Sequence, residues 1–164
     1  MKHLLVALAG NPNAGKTSLF NAITGSKQHV GNWPGKTIAK KEGNFQYKGY
    51  ELNIVDLPGT YSLSAFSPEE VIARDFIVQE KPDLVVTVLD AANLERNLYL
   101  AIQVLEMEVP VVVALNMADI ADSKHIRITR TALSQALNVP VVRTVARKEE
   151  GTRELLDAII ESAR

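Results

Sequence analysis

A short segment near the amino terminus has the residue types and spacing required to bind phosphate. Residues 10–17 fit the pattern G-x-x-x-x-G-K-[ST], between an apolar run and a helical pattern. Glycines allow backbone N–H groups to turn toward phosphate oxygens at the positive end of a helix. Lys16 would reach β- and γ-phosphates, and the Thr17 hydroxyl would bind Mg²⁺. The predicted phosphate loop comprises Gly10, Asn11, Pro12, Asn13, Ala14, Gly15, Lys16, Thr17 and Ser18.

A second pair of polar residues predicts recognition of guanine. Asn116 and Asp119 follow the apolar run "VVVAL" with N-x-x-D spacing. The aspartate carboxylate can accept hydrogen bonds from guanine N1–H and its exocyclic amine, and adenine lacks the first of these donors. Met117 stands between the pair, and its thioether can lie against the base plane. N-x-x-D alone also fits a turn asparagine and a capping aspartate, but its position after the phosphate loop favours base recognition.

Two further segments complete an ordered set of motifs. In "DLPG", Asp56 would hold Mg²⁺ through water, and the Gly59 N–H would contact the γ-phosphate, with Leu57 and Pro58 between them. In "TVA", a backbone N–H could meet guanine O6. This last segment consists of Thr144, Val145 and Ala146. D-x-x-G alone is a weak signal, and the order of all the motifs along the chain is what indicates a guanine-nucleotide site.

The strands that must position these motifs are visible as short apolar runs between helical patterns. Near-continuous apolar character predicts strands that are covered on both faces, in a mostly parallel α/β sheet. The polar residues 38–47 pair with residues 50–56 as a hairpin with an exposed edge strand, so the sheet is mixed. The other predicted strands are residues 4–9, 84–89, 111–115 and 139–142, with residues 52–55 as the apolar centre of the second hairpin strand.

Helical patterns follow the strands. "SPEE" predicts a helix that begins after Ser67, with Pro68 in its first position and Glu70 completing a capping box. Residues 25–37 form the only long irregular stretch that the sequence predicts. Three more amphipathic helices are expected to face the core through Leu94, Leu98, Ala101, Ile102 and Leu105, through Ala132, Leu133 and Leu137, and through Leu155, Leu156, Ile159 and Ile160.

Composition limits the class of protein. With 164 residues and 46% hydrophobic content, the chain is expected to form one compact domain. The net charge of -1 does not suggest a nucleic-acid-binding surface, and the lack of cysteine excludes disulfides and thiolate metal sites. No apolar run approaches the roughly 20 residues that cross a bilayer, so the expected location is the cytosol. The three histidines are scattered and are expected to face solvent.

The motifs together resemble one protein family. "GNPNAGKTSLFNAITG", "VGNWPGKT", "DLPGTYSLSAFSPEE", "NLERNLYL" and "VVALNMAD" are similar to segments of the N-terminal G domains of the FeoB ferrous iron transport family, which belongs to the translation-factor-like GTPases. The resemblance covers almost the whole chain and includes N-M-x-D in place of N-K-x-D. It implies a three-layer Ras-like P-loop GTPase fold with a mixed, mostly parallel six-stranded sheet and helices on both faces.

The resemblance also implies a cellular setting. Residues 1–164 would be one GTP-binding domain, and the family's helical regulatory and membrane domains would lie outside this sequence. The domain would bind GTP or GDP with Mg²⁺ and K⁺, hydrolyse GTP slowly, and gate or regulate ferrous iron uptake from the cytoplasmic face of the membrane. Its partners would be guanine nucleotide and those other domains, without nucleic acid. Homo-oligomerisation is left open.

By motif match, the resemblance assigns further roles. Thr37, after Gly35 and Lys36 in "WPGKT", would be the switch I threonine that closes on Mg²⁺ and the γ-phosphate. Asn13 would hold K⁺, which would assist hydrolysis because Thr60 stands where Ras-like enzymes have glutamine. The implied catalytic groups are Lys16, Asn13, Thr37 and Gly59, and the implied Mg²⁺ ligands are Thr17, Thr37 and Asp56. Trp33 is expected to be partly exposed in the mobile loop.

Two other functions are consistent with the residues. One is a soluble RNA- or ribosome-associated GTPase of the Era or Der type, although these usually retain lysine in N-K-x-D. The other is a nucleotide-dependent switch that hydrolyses almost nothing and presents different surfaces in its GTP and GDP states.

Overall fold

The computed structural model describes residues 2–163, which form an α/β fold of alternating strands and helices. The strands are β1 (Lys2–Gly10), β2 (Gln28–Asn32), β3 (Ala39–Tyr47), β4 (Tyr50–Asp56), β5 (Leu84–Asp90), β6 (Val111–Asn116) and β7 (Val141–Arg143). The helices are α1 (Lys16–Thr24), α2 (Pro68–Asp75), α3 (Leu94–Leu105), α4 (Ala118–Ser123), α5 (Arg130–Leu137) and α6 (Thr152–Ser162). None of the helices between residues 2 and 163 is long and apolar enough to cross a bilayer.

The strands form one mixed sheet in the order β2-β3-β4-β1-β5-β6-β7. Strand β1 runs parallel to β4 and β5, and β5, β6 and β7 continue the parallel part. The antiparallel part consists of β2, β3 and β4. This confirms the predicted three-layer, mostly parallel fold, but the sheet of residues 2–163 has seven strands and not six.

The additional strand is β2, which lies inside the segment predicted to be irregular. Its pairing with β3 runs from Gln28 opposite Gly43 to Asn32 opposite Ala39. The sequence "QHVGN" has one β-branched residue and therefore lacks the usual composition of a strand. Pairing with β3 supplies the backbone hydrogen bonds instead. Strand β3 is consequently an interior strand, so the prediction of an exposed edge at residues 38–47 is wrong.

The core lies on both faces of the sheet, as the apolar runs predict. In β1, Val6 and Leu8 belong to the cluster on one face, and Ala7 and Ala9 to the cluster on the other. Leu155, Leu156, Ile159 and Ile160 of α6 are buried, which confirms the predicted face of that helix. The two faces are covered by different helices, so the edge of the sheet remains available to loops.

The predicted apolar faces of α3 and α5 are only partly correct. In α3 the buried positions are Asn97, Leu100, Ala101 and Val104, whereas Ile102 is 47% exposed. These buried positions are spaced three and four residues apart along one face of the helix, and Ile102 lies beside that face. Helix α5 has no fully buried residue among residues 130–137; Leu133 and Leu137 pack on the core from its edge, and Ala132 is exposed.

The start of α2 is capped as predicted. Ser67 has extended backbone angles, and its hydroxyl accepts a hydrogen bond of 3.1 Å from the Glu70 N–H, with Pro68 in the first turn. The Glu70 carboxylate also accepts hydrogen bonds from the Ser62 hydroxyl and the Ser64 N–H. The helix start is therefore tied to the loop that follows β4.

Gly151, which precedes α6, is expected to tolerate alanine less well than Gly49 in the β3–β4 turn. Both have left-handed backbones, with φ of +80° and +82°. An added Cβ would face open space at Gly49, but at Gly151 it would press on the Arg143 carbonyl oxygen. Gly49→Ala should lower the free energy of unfolding by about 1–2 kcal/mol, and Gly151→Ala by a further ~1–3 kcal/mol. Urea unfolding of both variants measures the difference, and equal losses would contradict it.

Candidate functional site

The predicted site residues meet at the carboxyl ends of β1, β4, β6 and β7, where ligands bind in open parallel sheets. The phosphate loop leaves β1 at Gly10 and enters α1 at Lys16. Asn11 and Ala14 are buried beneath the loop. Its exposed members are Pro12, Asn13, Thr17 and Ser18, and Gly15 is half-buried at the start of the helix.

Lys16 joins the phosphate loop to the end of β4. Its ammonium group donates hydrogen bonds to the Asp56 carboxylate and, at 2.6 Å, to the Leu57 carbonyl oxygen. Both charged side chains are buried. Burial raises the pKa of the Asp56 carboxyl, while the charges of Lys16 and, to a smaller extent, Lys41 act in the opposite direction. The structure therefore brings the predicted phosphate-binding cation and the predicted metal-binding carboxylate into direct contact.

The loop after Asp56 lies against the phosphate loop. The Leu57 N–H donates to the Leu8 carbonyl oxygen at 3.0 Å, and the Thr60 N–H donates to the Gly10 carbonyl oxygen at 3.1 Å. Between them, a Cβ on Gly59 would lie 2.9 Å from Pro12 Cα. Only glycine fits this approach. Pro58 is half-buried, and Thr60, where Ras-like enzymes have glutamine, is 4% exposed.

Asn116 joins three loops of the site. Its amide nitrogen donates to the Ala14 carbonyl oxygen at 3.1 Å. Its oxygen accepts from the Thr144 hydroxyl at 3.0 Å and from the Ala146 N–H at 3.1 Å. Asn116 is 2% exposed, so these bonds are shielded from water. The sequence motif identified this residue as a base contact, and the geometry shows it as the connector between the phosphate loop and the segment 144–146.

The N–H groups of residues 144–146 all have protein acceptors. Thr144 donates to the Leu115 carbonyl oxygen at 2.9 Å, and Val145 to the Glu150 carbonyl oxygen at 3.0 Å. Ala146 donates to Asn116, as described above. A contact from one of these groups to guanine O6 would therefore be a shared hydrogen bond.

Asp119 lies at the opposite end of the site from Lys16. Its Oδ2 accepts a hydrogen bond of 2.5 Å from Arg147, and Lys148 Nζ lies 3.8 Å from the same oxygen. Its Oδ1 is buried and has no hydrogen-bond partner within residues 2–163. The hydrogen bond from Arg147 is the main reason why the pKa of Asp119 is lowered. The carboxylate is therefore charged at neutral pH. Sequence reasoning missed Arg147, whose only signal is a basic residue directly after "TVA".

The cavity beside Asp119 has a volume of about 90 Å³. Met117, which has a left-handed backbone with φ of 59°, lines this cavity. The remaining lining comes from Gly15, Ser18, Asn116, Asp119, Ile120, Val145, Ala146 and Arg147. Residues of the phosphate loop, the N-x-x-D motif and the third loop thus share one cavity.

Asparagines of the segment "NLERNLYL" form hydrogen bonds with the end of β5. Asp90, at the end of β5, accepts hydrogen bonds from the Ala92 N–H at 2.8 Å and from the Asn93 amide at 2.9 Å. Asn97 accepts from the Asp90 N–H at 3.2 Å and donates to the Asn93 carbonyl oxygen at 2.8 Å. The sequence shows these asparagines as polar residues on a helix. Their role in fixing the β5–α3 junction is visible only in three dimensions.

The predicted switch I segment contains an exposed turn and a buried tryptophan. Thr37 is exposed in the turn between β2 and β3, with Gly35 and Lys36. Trp33 is 7% exposed, so the prediction of partial exposure is wrong. Its ring lies edge-on to Phe76 with centroids 5.9 Å apart, and the Lys40 ammonium lies 4.9 Å from the ring centre. The tryptophan thus anchors the turn to the segment that follows α2.

Two oxygen ligands suited to a hard cation lie in the Lys16–Asp56 region. Asp56 supplies a buried carboxylate, and the Thr17 hydroxyl lies on the first turn of α1, one residue after Lys16. Such a donor set fits Mg²⁺. Within residues 2–163, no group of three or more His, Cys, Asp or Glu side chains could hold a metal ion. The three histidines are exposed, as predicted.

Comparison with known proteins identifies close relatives. Residues 4–159 match the model of the family described as Ferrous iron transport protein B. The Fe(2+) transporter FeoB of Escherichia coli K12 is 50% identical over 97% of this chain, which covers 21% of that protein. A Fe(2+) transport protein A/FeoB fusion protein of Porphyromonas gingivalis is 52% identical over 94% of the chain and 18% of its own length. The chain thus spans about a fifth of the curated relatives it matches.

Solved structures give the same result. The G domain of the T. maritima FeoB iron transporter superposes with a TM-score of 0.93 at 51% identity, covering 99% of both chains. The FeoB G domain of Methanococcus jannaschii has a TM-score of 0.89 at 47% identity, again over 99% of both. The chain therefore belongs to the Ferrous iron transport protein B family and has the P-loop GTPase fold of that family's G domain.

Proposed function

We propose that this chain binds and hydrolyses GTP, with Mg²⁺ and with stimulation by K⁺, and that it regulates ferrous iron uptake by a larger protein. The observation that carries the proposal is the buried Asn116 amide, which joins the phosphate loop at Ala14 to the loop at Ala146. A phosphate site and a base site at fixed separation are what a nucleotide requires. Solved T. maritima FeoB cytosolic domains in GDP and GMPPNP forms support the choice of guanine nucleotide.

Phosphate binding would replace the hydrogen-bond acceptors that Lys16 now has. In the structure the ammonium group is satisfied by Asp56 and the Leu57 carbonyl oxygen. Phosphate oxygens would replace these acceptors and would free the Asp56 carboxylate for the metal ion. Asp56, Thr17 and Thr37 would hold Mg²⁺, which supplies charge neutralisation at the β- and γ-phosphates. The backbone N–H groups of the phosphate loop would complete the cradle.

Guanine selectivity would depend on Asp119. Its Oδ1 is buried and has no partner among the described residues, and such an atom is costly unless a ligand supplies a donor. Guanine N1–H and the exocyclic amine are two donors in the arrangement that a carboxylate accepts. Met117 would lie against the base plane.

Hydrolysis would not use a glutamine to orient water. Thr60 occupies that position and is buried, with its N–H held by the Gly10 carbonyl oxygen. The Gly59 N–H would contact the γ-phosphate. Asn13 is exposed on the phosphate loop and would hold K⁺, a cation that offsets developing negative charge. Slow intrinsic turnover is expected.

The wider role follows from the relatives. The Escherichia coli and Porphyromonas gingivalis proteins are named as Fe(2+) transporters, and this chain matches about a fifth of them. We propose that residues 1–164 form a single G domain, that helical regulatory and membrane domains accompany it, and that it works at the cytoplasmic face of the membrane. Family membership favours this role over that of an Era- or Der-type RNA-associated GTPase.

GTP hydrolysis by the purified chain should be faster in KCl than in matched NaCl, with Mg²⁺ in both buffers. We expect about tenfold stimulation, equivalent to ~1.4 kcal/mol of barrier. Asn13→Ala should remove the stimulation while GTP binding is retained. Asn44→Ala, at an exposed asparagine of β3 outside the proposed site, is the matched control and should respond to K⁺ like the unmodified chain.

Three outcomes would contradict parts of this proposal. Stimulation that persists in Asn13→Ala would remove Asn13 from the cation site. Equal and negligible hydrolysis in both salts, with GTP still bound, would favour the non-hydrolysing switch. Binding of ATP as tightly as GTP would remove the proposed function.

Lys16→Met should make the stability of the nucleotide-free chain pH-dependent. Without the ammonium group, only the charge of Lys41 still opposes the effect of burial on Asp56, so the pKa of this carboxyl rises further above the unfolded value. Stability is then fully present below the unfolded pKa and is lost as pH rises through the folded pKa. We expect a loss of about 3–5 kcal/mol at pH 7 and a smaller loss at pH 5, measured by urea unfolding.

Lys41→Met is the control for this experiment, because Lys41 also lowers the Asp56 pKa but has a smaller effect than Lys16 and no hydrogen bond to the carboxylate. Its loss should be under about 1 kcal/mol, as for a weakly coupled charge. A Lys16→Met loss that is equal at both pH values would contradict the assignment to Asp56.

A non-hydrolysable GTP analogue should shift the fluorescence of Trp33, the one tryptophan in the sequence, to longer wavelength. Closure of Thr37 on the γ-phosphate would draw the turn away from Phe76 and expose the ring. GDP should cause a smaller shift, and Thr37→Ala should abolish the difference between the two nucleotides. Identical spectra with GDP and the analogue in the unmodified chain would contradict the proposed closure.

A further inference from the structure

The proposed function does not account for the contact between Arg147 and Asp119. It lies in the helical turn Ala146–Lys148, and its Nη2 is 2.5 Å from Asp119 Oδ2. The two side chains differ in environment, since 64% of Arg147 but only 17% of Asp119 is exposed. The exposed Arg147 thus binds Oδ2 of the mostly buried Asp119 carboxylate. The other oxygen, Oδ1, has no partner within residues 2–163.

The turn that carries Arg147 is fixed at both ends. The Ala146 N–H is bound to the Asn116 side chain, and the Lys148 N–H donates to the Val145 carbonyl oxygen at 3.0 Å. Val145 and Glu150 exchange two backbone hydrogen bonds of 3.0 and 3.1 Å. The backbone that carries Arg147 therefore has a defined position relative to the N-x-x-D motif.

Recognition of guanine by a carboxylate requires a fixed carboxylate plane. The χ2 torsion that rotates the aspartate carboxylate has a broad distribution of allowed angles. An unrestrained carboxylate therefore does not keep both oxygens in the plane of the base. A hydrogen bond to one oxygen removes that freedom. Each carboxylate oxygen has two acceptor positions, so Oδ2 can accept from Arg147 and from the ligand at the same time.

We propose that Arg147 is a positioning residue for guanine recognition: it orients the Asp119 carboxylate so that Oδ1 and Oδ2 accept from the base together. This inference rests on the proposed binding of guanine nucleotide and deepens it. Exposed ion pairs contribute little to folding stability. The effect of Arg147 is therefore expected in the selection of the base and not in the free energy of unfolding.

Inosine triphosphate is the probe that separates orientation from general binding. It lacks the exocyclic amine of guanine and so forms only the N1–H bond to Asp119. The ratio of GTP affinity to ITP affinity thus measures the second hydrogen bond. Affinities of the purified chain for GTP and ITP are measured by competition with a fluorescent GDP derivative, in the presence of Mg²⁺.

Arg147→Ala should weaken GTP about tenfold, the loss expected from one hydrogen bond to a charged group, and should weaken ITP much less. The GTP-to-ITP ratio therefore falls toward one. Lys148→Ala removes a cation that lies 3.8 Å from the same Asp119 oxygen and is the matched control. Its ratio should remain that of the unmodified chain, and urea unfolding should show both variants folded with little change in stability.

Each other outcome overturns the inference. Equal weakening of GTP and ITP in Arg147→Ala would mean that Arg147 acts as a general cation or a packing group. An unchanged ratio in Arg147→Ala, or an equal fall in Lys148→Ala, would exclude orientation by Arg147. These results leave the proposed function intact, because the unmodified chain still prefers GTP. Absence of that preference in the unmodified chain would instead remove the proposed function together with this inference.

Discussion

The buried carboxamide of Asn116 is the interaction on which the rest of the site depends. Its hydrogen bonds to Ala14, Thr144 and Ala146 join loops that are distant in sequence. The sheet brings these loops to one edge because the carboxyl ends of parallel strands lie together, but that arrangement alone leaves the loops free to separate. An amide has a donor and an acceptor in one plane and can satisfy both sides at once. Burial then makes loss of either bond costly.

The Lys16–Asp56 pair adds a second constraint. Two opposite charges are withdrawn from water, and each depends on the other for compensation. A ligand that binds one of these two charges separates it from the other, which then needs a new partner of opposite charge. Anion binding by the lysine and cation binding by the aspartate are therefore coupled through a single contact. The phosphate loop and the loop after β4 consequently respond as a unit, an arrangement reinforced by the close approach of Gly59 to Pro12.

Much of this architecture could be predicted from the sequence, because its signals are local. The apolar runs located the buried strands, and the spacing of glycine, lysine and threonine located the phosphate loop. Features that depend on distant partners could not be predicted. Trp33, for example, is buried because Phe76 packs against it. Arg147 has only a weak sequence signal, since its contact is with Asp119, 28 positions earlier in the chain.

Strand β2 is a second feature that the sequence did not predict. It is the outer strand of the sheet on its side, five residues long, and four of those residues are exposed. Long, flat and hydrophobic edges invite pairing with other chains, and proteins avoid this with short, polar edges. The sequence "QHVGN" has these protective properties. The composition that concealed the strand from prediction is therefore the composition that limits edge-to-edge aggregation, so the poor strand propensity of residues 28–32 is a benefit to solubility.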